Sequence, residues 1–432
     1  MPHFVRLDDI RRGWHRESKR YLEVNNNIKT FSMALTNPFA AILTDWDETR
    51  ESIRRGESRL STWAQYLERF EATDPRDKIY GLLGLGSDDD RKVMKSSFDA
   101  NMPASHVYNV ASAWFIRCIA GLLLLQFDIG NRASAPRGEE GETLASWVPD
   151  YSLRKPTEDP DWYKPLYVAF IGYYNACGDG KLIPKTIQGN PFPSRTIFGL
   201  YIHGIVVDRI AYVSGNPHWR AYSGTDSDAR TQYSLTCMRR TADNVATWEA
   251  ETLKTRDSNP YGPAQAVEEA FRRTIIANRD GSRDVDGQIF PTKEWLDEHF
   301  EVFMGRREVP EAFLQVNAGL TQDEALLEYL LSFRRAALSR TAGRNFFITD
   351  KGYFGLGPWK SQIGDEICVL EGGMVPFVLR AVPEEELAAA KVVPEERQRF
   401  FTVIGESYVH GVSDGEWIGK QSEEDVFTAI LV

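Results

Sequence analysis

Apolar periodicity changes character at Arg344, and that change restricts the fold more than any other feature of the chain. Between residues 227 and 340 apolar side chains recur at helical spacing. From residue 344 onward they fall in short runs broken by Gly, Pro and Asp. A helix returns a side chain to one face every three or four residues, whereas a strand does so every second residue. The helical windows are 227–256, 263–278, 292–304 and 321–340. The last opens on Thr321-Gln322-Asp323-Glu324, where a Thr and a Glu three apart can cap each other. The strand windows are 346–349, 366–370, 375–382, 400–405 and 408–411, joined by an earlier β-branched run at 196–213. Helices followed by strands predict an α+β protein: helical N-terminal and middle regions with a C-terminal antiparallel β-barrel or sandwich.

Ahead of residue 227 the signals are mixed. Residues 61–70 predict a helix capped near Ser61. A second short helix should follow, with Thr73 or Asp74 as cap, Pro75 in its first turn and Gly84 or Gly86 at its end. Asp88-Asp89-Asp90 reads as an acidic loop, 104–126 as one long buried helix, and Leu144 to Tyr151 as an extended segment ended by Pro149. Near the other end, 383–398 is Glu-rich and reads as a solvated helical insert.

Charge and cysteine usage exclude several classes. The formal net charge is −11 and the positive runs are short, which excludes a basic nucleic-acid-binding face. Cys118, Cys177, Cys237 and Cys368 form no CxxC pair and read as thiols in a reducing compartment. Residues 1–26 are charged and lack the apolar run of a secretory signal. The most apolar stretch, 113–127, is interrupted by Arg117 and is shorter than the ~20 residues of a membrane span. The expected location is the cytosol, with the nucleus as the alternative.

No motif predicts a cofactor or a metal. Gly352 to Pro358 and Gly415 to Lys420 lack the order of a phosphate-binding loop and read as β-turns. Seven histidines occur without an HExxH or a second His at ligand spacing. Ser407 lacks the glycine at 409 that a nucleophile elbow needs. No catalytic residue is therefore assigned.

Two groups remain as candidate interaction sites. Asp74, Arg76, Asp77 and Lys78 form a compact charged cluster, either a docking surface or ordinary ion pairs at a helix start. Glu406, Tyr408 and His410 alternate along a strand and share one face. With Arg344 they would line a small site, His410 as base and Glu406 as its orienter; the plainer reading is a polar strand face with a satisfied histidine.

Three segments together resemble fungal heterokaryon-incompatibility (HET) domain proteins. The first is Thr73-Asp74-Pro75-Arg76-Asp77-Lys78-Ile79-Tyr80-Gly81-Leu82-Leu83-Gly84-Leu85, similar to the stretch at the end of the HET domain, with Gly81 where Ala is usual. The second is Ala145-Ser146-Trp147-Val148-Pro149-Asp150-Tyr151. The third is the C-terminal set, including Gly343-Arg344-Asn345-Phe346-Phe347, Gly364-Asp365-Glu366-Ile367-Cys368-Val369-Leu370 and Gly405-Glu406-Ser407-Tyr408-Val409-His410-Gly411. The family's Ser-Tyr-x-Trp-Gly and Trp-Ile-Asp-x-Ile-Cys-Ile-Asn-Gln motifs, which lie N-terminal to the first segment, have no counterpart here.

The resemblance implies a recognition or regulatory protein of fungal non-self recognition. Its protein partner would be the missing HET effector part or a separate copy of it. The family's link to cell death attaches to the absent region, so NAD cleavage, known of some TIR domains likened to HET, is not expected. The implied division is 1–90, the remnant of the HET-domain end with a helical linker; 91–215, a mixed region; 216–342, a helical region; and 343–432, the β region. Two rivals stand beside it. One is an enzyme or ligand-binding protein using a pocket of the β region. The other is a fragment, which would expose an apolar patch around Trp14, Trp63 and Tyr80.

Overall fold

In a computed structural model, the described residues are 72–95, 102–118, 121–126, 144–152, 174–177, 186–188, 199–215, 227–255, 259–262, 265–279, 290–417 and 423–432. The expected helix at 61–70, Trp14 and Trp63 lie outside them. Tyr80 is half-buried against the core. No helix among the described residues is long and apolar enough to cross a membrane.

The architecture is helices first, then a mostly antiparallel sheet. A short helix α1 (Asp77–Tyr80) leads to α2 (Asp88–Lys95) and α3 (Ala104–Cys118). The three aspartates expected in a loop form the first turn of α2. Ser87 Oγ accepts from Asp90 N at 3.2 Å while Asp90 Oδ2 accepts from Ser87 N at 2.8 Å, so the two residues cap the helix reciprocally. Acidic side chains at this end also meet the positive pole of the helix. Helix α3 is described as far as Cys118, and Gly121–Gln126 is a 3-10 segment, so the last part of the helix expected over 104–126 is not α-helical. Ala145 to Val148 makes a turn instead of an extended run: Val148 N donates to Ala145 O at 2.9 Å, and Ser146 N donates to Val432 O at 3.0 Å.

Strand β1 (Thr186–Gln188) pairs with β2 (Gly199–Val213). The long helix α4 (Ser227–Thr252) and then α5 (Val267–Ile275), α6 (Lys293–Phe303), α7 (Glu311–Val316), α8 (Gln322–Tyr329) and α9 (Leu331–Thr341) follow. Thr321 and Glu324 form the expected capping box on α8. The remaining strands are β3 (Arg344–Thr349), β4 (Phe354–Pro358), β5 (Glu366–Leu370), β6 (Phe377–Ala381), β7 (Gln398–Glu406), β8 (Tyr408–Val409) and β9 (Val426–Leu431), with α10 (Glu384–Ala389) between β6 and β7.

The sheet order is β5-β6-β7-β9-β2-β3-β4-β8, and β5 also pairs with β2. That extra pairing closes β2, β5, β6, β7 and β9 into a barrel, and β3, β4 and β8 continue from the far end of β2. Among the described strand pairs, only β7–β9 is parallel. Strand β2 spans both parts because its 15 residues pair successively with β9, β5 and β3, with register shifts between Val206 and Asp208 and between Ile210 and Tyr212. Bulges bend a strand and increase its twist, which allows one strand to serve two partners. Leu200 and Ile202, Cys368 and Leu370, Phe377 and Leu379, Phe401 and Val403, and Phe427 and Leu431 bring all five barrel strands into one buried cluster. Outside, Phe400 and Ile430 are covered by Leu387 of α10.

The 354–358 segment, expected as a turn, is a strand. Its glycines serve close packing: a Cβ on Gly355 would lie 2.2 Å from Phe347 Cζ and 2.7 Å from the Tyr408 carbonyl oxygen. Phe347 crosses the backbone of β4, and only a residue without a side chain admits it. Above this extension sit the helices. Trp248 of α4 stacks on Phe346, centroids 5.6 Å apart, and Phe271 of α5 meets the same ring edge-on at 5.5 Å.

Candidate functional site

The charged cluster near residue 74 is largely spent on its own turn. Asp74 Oδ1 accepts from the Arg76 backbone N at 2.9 Å, and its Oδ2 accepts from Arg76 Nη2 at 2.6 Å. This ion pair holds the Asp74 carboxyl below and the Arg76 guanidinium above their ordinary ranges. Asp74 thus closes the turn 74–77 that leads into α1; the N-cap position of α1 itself falls to Arg76, with no side-chain cap bond, and the helix ends at Gly81 rather than at Gly84 or Gly86. Arg76 also reaches Met102 O at 3.2 Å, and Tyr108 of α3 donates to Pro75 O at 2.7 Å. Lys78 is buried, whereas Asp77 points to solvent.

The second group splits in two. Arg344 opens β3 and Glu406 ends β7; Arg344 Nη2 donates to Glu406 Oε1 at 2.8 Å, both side chains being fully buried. Tyr408 and His410 lie one strand-step further on. The Tyr408 hydroxyl lies 2.9 Å from His410 Nδ1, and His410 Nε2 lies 3.0 Å from Gln265 Oε1. Gln265 Nε2 is directed at Glu269 Oε1 at 3.4 Å, which assigns its oxygen to His410. An amide oxygen only accepts, so Nε2 carries the proton and Nδ1 accepts from Tyr408. Both ring nitrogens are thereby engaged. Burial, followed by the charge of Arg273, pulls the His410 pKa down to about 3. Glu406 bonds to Arg344, so the orienting contact to His410 falls to Tyr408 and Gln265.

His410 also faces a cavity of about 340 Å³ between the helical layer and the end of β8. Its lining includes Tyr261, Gln265, Arg273, Asn278, Phe290, Tyr353 and Glu416, with Gly411 beside the histidine. Arg344, Glu406 and Tyr408 sit in the interior behind it. The wall at α5 is shaped by two consecutive left-handed residues, Ala277 (φ 48°) and Asn278 (φ 56°). Such a conformation costs roughly 1–2 kcal/mol per residue. Here it is held by Asn278 N donating to Arg273 O at 2.7 Å and by Arg273 Nη1 donating to Asn278 Oδ1 at 3.0 Å. It turns Arg279 inward, where Nη2 meets Asp414 Oδ1 at 2.5 Å and the guanidinium lies over Tyr174 (4.7 Å) and Phe290 (4.5 Å).

Glu416 is accessible at the mouth, yet protein atoms surround its carboxyl closely enough that desolvation, then its neighbour Asp414, raises its pKa. The Tyr261 hydroxyl oxygen accepts from Phe354 N at 2.7 Å, which fixes its ring in this wall. Apart from His410, none of these lining residues is singled out by the sequence as part of a site. They converge from segments far apart in the chain; Gln265 and His410 are 145 positions apart. Among the described residues no group of three or more His, Cys, Asp or Glu could hold a metal ion.

Residues 318–429, from the last two helices of the helical layer to β9, match the family model described as the Het-6 beta-barrel domain. The chain is a distant homologue of Het-6. It is 25% identical over 376 residues to "Heterokaryon incompatibility protein 6, OR allele" of Neurospora crassa, an alignment covering 82% of this chain and 50% of that relative. The chain thus spans about half the length of the curated relative it matches. No solved structure matches it. The Het-6 barrel segment contains Arg344, Glu406, Tyr408 and His410, while β2, which closes the barrel, comes from outside the matched residues.

Proposed function

We propose that this chain is a HET-type recognition or regulatory protein of fungal non-self recognition, acting in the cytosol through a protein partner and without catalysis. The relationship to Het-6, which runs through the helical regions as well as the barrel, is the observation that carries this reading. The geometry adds support. The one histidine facing the cavity has both nitrogens engaged and a pKa far below neutrality, so it is poorly suited to take a proton from a substrate. The partner we propose is a HET effector domain, on the same polypeptide or on a separate one. The exposed Asp77 beside the Asp74–Arg76 pair offers a small charged edge for it.

The test is genetic. Two otherwise isogenic fungal strains are made to differ only in the allele of this chain, and their heterokaryons are scored for growth. Stunted heterokaryons from the mismatched pair, beside vigorous ones from the matched pair, are expected. Equal vigour in both would overturn the reading.

A further inference from the structure

The cavity beside His410 has a composition that the recognition reading does not use. Three aromatic residues, Tyr261, Phe290 and Tyr353, contribute to its walls, and one carboxylate, Glu416, stands at its mouth. Phe290 is 46% exposed, although the Arg279 guanidinium lies over its ring at 4.5 Å. A large apolar ring left half open at a cavity mouth gains from being covered. Aromatic rings with a nearby carboxylate attract cations through the ring quadrupole and direct charge pairing.

Arg273 and Arg279 both argue against a cation, and the surroundings of each answer it. Arg273 Nε donates to Glu269 Oε1 at 2.8 Å, both side chains being 13% exposed, and its Nη1 is held by Asn278 Oδ1 and Pro291 O, each at 3.0 Å. Arg279 is neutralised by Asp414. Arg273 is thus paired with Glu269 and Arg279 with Asp414, which leaves Glu416 as the lining carboxylate outside both ion pairs. Its carboxyl accepts the Asp414 backbone N–H at 3.0 Å, a neutral donor, and no ion pair is formed by it among the described residues.

We infer that this cavity receives an organic cation, an alkylammonium or alkylguanidinium group on a slim apolar stem, with Glu416 as counter-ion and Tyr261, Phe290 and Tyr353 as walls. A cavity of about 340 Å³ suits a group of this size and lies at the small end of ligand sites. The same chemistry is offered by a free small amine and by a Lys or Arg side chain of a protein partner. Because the cation favours ionised Glu416, binding strengthens as pH rises through the carboxyl range of that residue and levels off above it.

The experiment is calorimetric titration of the full chain with n-butylguanidine and with the capped peptide acetyl-Gly-Arg-Gly-amide, at two pH values. Saturable binding of at least one is expected, weakened about tenfold by Glu416→Gln, a change at an accessible position. Tyr353→Leu, which removes one ring, should weaken binding by a smaller factor. Peptide binding at least tenfold tighter than butylguanidine assigns the cation to a protein partner; any smaller difference assigns it to a free small organic cation. Absence of saturable binding by the folded wild-type chain, or equal affinity in Glu416→Gln, overturns the inference. Because this result does not depend on strain compatibility, its failure would leave the heterokaryon test standing.

Discussion

Arg344 and Glu406 form an ion pair from which water is wholly excluded: Nη2 to Oε1 is 2.8 Å, and neither side chain is exposed. Arg344 Nη1 also donates to Arg340 O at 3.2 Å, which ties the start of β3 to the end of α9. The pair joins helical layer, β3 and β7 at one point. Removing one partner strands a charge in the interior, which typically costs about 3–5 kcal/mol. Arg344→Met and Glu406→Leu should each lose stability on that scale in urea denaturation. The double variant should be less impaired than the sum of the two, because neither charge is then left alone.

His410 makes stability depend on pH. Burial holds its folded pKa at about 3, against 6.5 for the free side chain. As pH falls, the unfolded chain binds this proton first, so the contribution is complete above pH 6.5 and is lost progressively from there toward about 3. The slope in that window approaches about 1.4 kcal/mol per pH unit from this residue. In His410→Gln that slope should vanish. Urea denaturation of both proteins at pH 7.5 and pH 5 checks it: the gap between them should narrow at the lower pH.

Much of the fold was legible in the sequence because burial writes itself into periodicity. The α+β class, the run at 196–213 of which 199–213 form β2, the strand at 366–370 and the Thr321–Glu324 capping box all follow from local pattern. What failed locally has a tertiary cause. Gly355 and Gly357 resemble turn glycines in sequence, yet they are there because Phe347 lies across β4. Asp88 to Asp90 resemble a loop until Ser87 closes the cap on Asp90. The alternation of Glu406, Tyr408 and His410 was readable, but their partners were not. Arg344 and Gln265 arrive from other elements, and the cavity walls come from residues whose only common property is where the helical layer meets β8.

Gly355 tests that packing argument. Gly355→Ala should cost about 1–3 kcal/mol, or more where the Tyr408 carbonyl cannot retreat, since overpacking displaces backbone as well as side chain. Gly84 has nothing within 4 Å of the equivalent position, and Gly84→Ala should leave the thermal midpoint nearly unchanged.

The α8 cap offers a smaller, cleaner measurement. Thr321 Oγ1 accepts from Glu324 N at 3.3 Å while Glu324 Oε2 accepts from Thr321 N at 2.9 Å. Thr321→Ala should lose about 1 kcal/mol in chemical denaturation. Thr321→Ser, which keeps the hydroxyl, should recover most of it.

The most direct measurement of the recognition account is vital-dye counting of fusion cells from strains that differ only in the allele of this chain, carrying either the natural residue or His410→Gln. The account predicts dye uptake in the mismatched fusions with both versions, because the histidine takes no part in chemistry. Healthy mismatched fusions with the natural chain would contradict the assignment to non-self recognition. Death that disappears with a stably folded His410→Gln chain would contradict its non-catalytic character.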